Sequence, residues 1–406
     1  MTGVFSRLVG QDAVEAELVA AAQAARGDSP HSDGSGASTP HTMTHAWLIT
    51  GPPGSGRSVA ALCFAAALQC TSDGVPGCGE CRACATTMAG THADVRRIIP
   101  EGLSIGVDEM RAIVQIASRR PSTGRWQIVL IEDADRLTEG AANALLKVVE
   151  EPPPSTVFLL CAPSVDPEDI AITLRSRCRH VALVTPPVDA IARVLVETDG
   201  LAEEEARWAA SVSGGHVGRA RRLATDEDAR QRRQRALGLA RDAATPTRAY
   251  AAAEELVAAA EAEALALTVD RNESETEELR TALGAGGSGK GTAGTLRGTA
   301  GAIKDLERRQ KSRQTRASRD ALDRALIDLA TYFRDALLVA TEAGEVSANH
   351  PDMAERVAAM AAHASSEKLL RCIEAVLQCR EALAVNVKPK FAVDAMVATV
   401  GQALRD

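Results

Sequence analysis

Aromatic side chains are nearly missing from this chain of 406 residues: Phe, Trp and Tyr make up 2% of it. Its cores must therefore rest on Ala, Leu, Val and Ile, a mixture that leans helical. Positive charge is not in excess either. The net charge of -8 argues against a protein held to nucleic acid by bulk attraction, though a local basic surface is not excluded. No run of about 18 apolar residues occurs, so no membrane span is expected. "VAALCFAAALQC" (59–70) is too short and reads as a buried helix. The opening "MTGVFSRLVGQDAVEAELVAA" lacks a basic start followed by an apolar block, so a cytoplasmic location is expected. The eight histidines show no ligand spacing and receive no role.

What is present suits two or three domains. Residues 1–184 alternate strand-like runs with helical patterns. "HAWLIT", "ADVRRIIP", "WQIVLIEDAD" and "STVFLLCAP" read as strands. "RSVAALCFAAAL", "GVDEMRAIVQIASRR" and "GAANALLKVVEE" read as helices, the second with Met110, Ile113, Val114 and Ala117 on one face. That order predicts an α/β fold with a parallel sheet and helices on both faces. Residues 185–224 read as a small helical unit with glycine stops, and 225–406 as an all-helical domain. Two Gly/Ser/Thr-rich stretches, 27–42 and 284–301, are expected to be flexible linkers without chemistry.

"GPPGSGRS" (51–58) has the spacing of a phosphate-binding loop, with a strand before it and a helix after it. Gly51, Gly54 and Gly56 would let backbone N–H groups converge on phosphates, and Ser58 would touch magnesium. Arg57 stands where lysine is expected, and the two are not interchangeable. After the strand "IVLI" come Glu132 and Asp133, the reverse of the aspartate–glutamate order of a hydrolysing site. Both departures predict a degenerate site with little or no ATPase of its own. Whether nucleotide still binds there stays open.

Cys70, Cys78, Cys81 and Cys84 form C-x7-C-x2-C-x2-C. Closely spaced thiolates can close a tetrahedral zinc site. An iron–sulfur pattern would need a cysteine at 88, where Met88 stands. Four cysteine ligands leave no open position, so the zinc is expected to be structural. Cys63, Cys161, Cys178, Cys372 and Cys379 read as buried thiols.

Several motifs together resemble a known family. "LVGQ" (8–11), "GPPGSGRS", the cysteine cluster, "EDADRLTEGAANALLKVVEEPP" (132–153) and "LRSRC" (174–178) are similar to the AAA+ clamp-loader subunits of bacterial DNA polymerase III. The resemblance runs through about the first 225 residues and continues more loosely beyond. It implies an AAA+ α/β domain (1–184) with an inserted zinc module (70–84), a helical lid (185–224) and a helical collar (225–406). Arg57, the Glu132–Asp133 order, and Ala162 and Pro163 at the sensor positions resemble the delta-prime type. The tau/gamma motor type has an intact lysine loop.

For the delta-prime type the resemblance implies a hetero-oligomer with tau/gamma and delta subunits. That complex opens the sliding clamp and places it on primed DNA. The holoenzyme is a DNA-directed DNA polymerase, a nucleotidyltransferase, but no palm-like set of carboxylates is visible in this chain. Arg177, in "SRC", is implied as an arginine finger for a neighbouring subunit's ATP. Arg219 stands where the lid's phosphate-sensing arginine is implied. An ATP-hydrolysing motor and a plain zinc scaffold are the other readings. The basic blocks "RQRRQR" (230–235) and "ERRQKSRQTRASR" (307–319) are expected to be solvated helix faces, since no aromatic residues interleave them for base stacking.

Overall fold

The structure is a computed structural model that describes residues 3–27, 43–283, 296–343 and 346–405. The segments 27–42 and 284–301, expected as linkers, lie mostly outside these residues. The chain divides into two compact units, Met1–Arg221 and Arg222–Asp406.

The first unit runs α1 (Asp12–Arg26), β1 (Ala46–Thr50), α2 (Arg57–Gln69), α3 (Arg82–Met88), β2 (Val95–Ile98), α4 (Val107–Ala117) and β3 (Gln127–Ile131). There follow α5 (Glu139–Glu150), β4 (Thr156–Ala162), α6 (Ile172–Arg175), β5 (Arg179–Ala182), α7 (Val188–Asp199), α8 (Glu203–Ser211) and α9 (Val217–Thr225). The five strands form one parallel sheet in the order β2-β3-β4-β1-β5. The three inner strands are buried along their whole length, as apolar runs covered on both faces must be.

Alternation within each strand assigns the two faces. Trp47, Ile49, Ile128, Leu130, Val157 and Leu159 join the core under α1 and α2. Leu48, Val129, Ile131, Phe158 and Leu160 join the core under α4 and α5. Five alanines among the buried residues of α2 let that helix lie close to the sheet. Met110, Ile113 and Ala117 are buried as α4's periodicity predicts, and Val114 packs at the edge of the same core. The edge strand β5 was not read from the sequence. It has four residues, and of these only Val181 is buried.

The second unit is all helix: α10 (Glu227–Asp242), α11 (Pro246–Ala282), α12 (Leu296–Ala340), α13 (Ala354–His363), α14 (Ser366–Ala384) and α15 (Pro389–Arg405). Leu322, Leu326, Leu329, Phe333, Leu369, Val376, Val393 and Val397 lie at the centre of its core. The pairs Arg324–Glu263 and Arg313–Glu275 show α11 and α12 running antiparallel. Leu296–Gly301, expected as linker, are helical because α12 extends along this pair.

The basic block 230–235 is not simply a solvated face. Arg233 is 5% exposed, donates to both carboxylate oxygens of Asp352 at 2.7 and 2.9 Å, and meets His350 Nδ1 at 2.8 Å. A buried arginine requires such partners. In the second block, Arg313 is paired with Glu275 and Asn272, while Arg309 and Lys311 are exposed. Among the described residues, no helix is long and apolar enough to cross a membrane.

Candidate nucleotide and metal sites

The loop at 51–58 leaves the end of β1 and opens α2. Gly51 N donates to Pro163 O, joining the loop to the end of β4. Gly56 caps α2 with a φ of 97°. Gly54, at φ 89°, lies under the turn that opens α9; a Cβ there would sit 2.4 Å from His216 Cβ. Only glycine lets that turn come so close. His216 Nδ1 in turn accepts from Arg219 N at 3.2 Å, so α9 brings Arg219 beside the loop. Ser58 stands in the first turn of α2, partly exposed.

Gln11 fastens the loop from the other side. Its Nε2 donates to Val184 O (2.6 Å) and Ser55 O (3.4 Å), and its Oε1 accepts from Val184 N (3.2 Å). Neither His216 nor Gln11 was assigned a role from sequence. The only hint was the isolated polar residue in "LVGQ"; for His216 there was none.

Arg57 turns back onto its own loop, with Nη1 donating to Gly51 O at 2.9 Å. Glu132 and Asp133 follow β3. The Glu132 carboxylate is ion-paired with Arg97 of the neighbouring strand β2. Asp135, three residues after Glu132, is pushed above the usual carboxylate range by burial and then by the Asp133 charge. The structure thus brings Gly51, Gly54, Gly56, Arg57, Ser58, Glu132, Asp133 and Arg219 to one end of the sheet.

Arg177 is not among them. It follows α6 and precedes β5, whose Arg179 pairs with Trp47 near the start of β1. The loop leaves β1 after Thr50, opposite Ala182. The strands are parallel, so Arg177 lies at the other end of the sheet, on its β5 edge. Its Nη2 is 2.5 Å from Glu150 Oε1, and its Nη1 donates to Thr173 O and Ser176 Oγ.

The four cysteines converge between α2 and α3. Their Sγ atoms all lie within 4.8 Å of one another; Cys70–Cys78 is 3.7 Å and Cys70–Cys81 is 3.9 Å. Bonds of ~2.3 Å to a tetrahedral zinc would separate sulfurs by about 3.8 Å, so the cluster fits such an ion. Burial opposes the Cys81 thiolate, but hydrogen bonds from Cys84 and Thr71 outweigh it and bring its pKa down to about 6. Burial instead raises Cys84. Of the remaining cysteines, Cys63, Cys161, Cys372 and Cys379 are buried core thiols, while Cys178, expected to be buried, is only partly so; burial pushes Cys63, Cys178, Cys372 and Cys379 up to about 12 and raises Cys161 too.

Parts of this chain are similar to known proteins. Residues 36–187 match the family described as DNA polymerase III, delta subunit, and residues 317–389 match DNA polymerase III, delta subunit, C terminal. The delta-prime subunit of Escherichia coli DNA polymerase III is 40% identical over 146 residues, 35% of this chain and 43% of that protein. Over these residues the chain is similar to the DNA polymerase III delta-prime subunits. The Pseudomonas aeruginosa delta-prime subunit is 38% identical over 186 residues, 44% of this chain and 55% of that protein. The match thus spans about half the length of these delta-prime relatives. The tau subunit of Bacillus subtilis is 38% identical over 139 residues, 34% of this chain and 24% of that protein. The observed sheet, loop and helical regions are the fold class that the AAA+ resemblance implied.

Proposed function

We propose that this chain works as a delta-prime-type subunit of a DNA polymerase III clamp loader. It would assemble with tau/gamma and delta subunits in the cytoplasm and help place the sliding clamp on primed DNA. Its own loop does not turn over ATP, and Arg177 serves a neighbouring motor subunit's nucleotide. The parts follow the three-way division into AAA+ domain, lid and collar. Zinc at Cys70, Cys78, Cys81 and Cys84 holds the inserted module in shape, with all four positions filled by protein. Polymerisation belongs to the holoenzyme, not to this chain.

One observation carries the reading of the loop. Arg57, at the lysine position, donates to Gly51 O of the same loop instead of facing outward as a free cation. Glu132, where magnesium chemistry would need a free carboxylate, is engaged by Arg97. The test is steady-state ATP hydrolysis by the purified chain, which should be negligible. The second reading, a tau/gamma-type motor, draws on the similarity to the Bacillus subtilis tau subunit. It requires turnover by the chain alone that Ser58→Ala abolishes.

A further inference from the structure

The metal cluster draws its cysteines from two places. Cys78, Cys81 and Cys84 follow each other at close spacing, and the last begins in the first turns of α3. Cys70 comes from the end of α2, where the backbone turns extended (φ -61°, ψ 132°). Between Cys70 and Cys78 no helix or strand holds the chain. For four thiolates to meet one ion, that connection must keep a fixed shape.

Arg26 supplies it from outside. Standing in the last turn of α1, it donates from Nη2 to Cys70 O at 2.9 Å, and from Nη1 to Ser72 O at 2.9 Å and Gly74 O at 3.0 Å. A guanidinium at the end of a helix commonly serves its own helix's carbonyls. Here the acceptors lie 44 to 48 residues away, on the metal loop. At the loop's other end, Val4 N donates to Gly77 O at 2.9 Å. The N-terminal segment thus closes both ends of the Cys70–Cys78 connection.

We infer that Arg26 is a positioning residue for the metal site: it shapes the loop that delivers Cys70 before the metal arrives. This rests on the reading of the four cysteines as a metal site. A planar fork with several donors suits three carbonyls in a way a lysine ammonium does not. Its charge also favours the anion formed when four thiolates bind one divalent ion. Outer-shell partners of metal ligands typically account for about 10–100-fold in metal affinity.

The experiment measures zinc affinity of the full chain by competition with a chelator, for the unaltered protein, Arg26→Ala and Arg26→Lys. Cobalt spectra report the ligand set, and melting of metal-free and metal-loaded protein separates positioning from general support. The expected result is about 10–100-fold weaker zinc binding in Arg26→Ala, with Arg26→Lys in between. The four-sulfur cobalt spectrum should be retained, and the metal-induced rise in Tm should shrink. Equal affinity in all three proteins, with metal-free and metal-loaded forms losing Tm alike, overturns the role of Arg26 alone. If Arg26→Ala does not fold, the same comparison is made with Arg26→Lys. An unaltered protein that binds no zinc overturns the metal reading itself and this inference with it.

Discussion

The guanidinium of Arg177 is held against its own domain by Glu150, Nη2 to Oε1 at 2.5 Å. Both side chains are about two-fifths exposed, at 39% and 40%. Pairs of this kind contribute only about 0–1 kcal/mol, so an incoming phosphate can replace the carboxylate. Arg177→Ala should therefore leave the chain folded and the loader assembled. Single-turnover ATP hydrolysis at the neighbouring subunit's site should fall by about 10³-fold or more, the lower end of what arginine fingers supply. Glu150→Gln should change that rate by no more than about fivefold, and not at all once Arg177 is alanine. Unchanged hydrolysis in a loader carrying Arg177→Ala would reduce the chain to a scaffold.

The phosphate loop yields a second prediction. Arg57→Lys alone should not create an ATPase. Glu132 and Asp133 keep their reversed order, and Arg97 still occupies Glu132. A steady-state assay on the variant checks this. Turnover at the level of an ordinary clamp-loader motor would show that the acidic pair works as it stands.

Zinc content is the third. Freshly purified, unoxidised protein should carry about one zinc per chain, bound by four thiolates. Stripping it should lower the melting temperature of the first unit, since binding at such sites is coupled to folding. Elemental analysis and thermal melts before and after chelation decide the matter. Absence of zinc in reduced protein counts against the site.

Asp94 gives the fourth. It is buried and accepts from Ser122 N and Oγ, Thr123 N and Oγ1, and Gly124 N, all at 2.7–2.8 Å. Burial opposes its charge, yet these bonds hold its pKa well below the usual carboxylate range. Because the folded pKa is depressed, the stabilisation is complete above the unfolded value of about 4 and is lost as pH falls through the folded value. Asp94→Asn should cost about 2–3 kcal/mol at pH 7 and less in acid. Chemical denaturation at pH 7 and at pH 3 tests it; an equal cost at both would place the effect in packing rather than charge.

Which features could be read without the fold depended on how local they were. The loop at 51–58 was legible because its glycines, strand and helix are contiguous. Cys70, Cys78, Cys81 and Cys84 were legible as a cluster from their short spacing, and the inner strands because parallel strands buried on both faces become unbroken apolar runs. The edge strand β5 was not: with one buried residue in four, "RHVA" has no pattern of its own and exists by pairing with β1. Arg233 looked like part of a solvated basic face, but Asp352, 119 residues away, makes it a buried ion pair.

The sequence by itself determined residue types at short spacing: a glycine-rich loop with Arg57 where lysine is expected, Glu132 before Asp133 after a strand, and a four-cysteine cluster. These are statements about residue type and short spacing. Tertiary structure alone decided what each group is bonded to. It turned Arg57 onto Gly51, gave Glu132 to Arg97, set His216 over Gly54 and spread Arg26 across the connection from Cys70 to Cys78. Hydrogen bonds and ion pairs act over a few ångströms, and partners far apart in the chain meet only when burial of the apolar strands and helices brings their elements together.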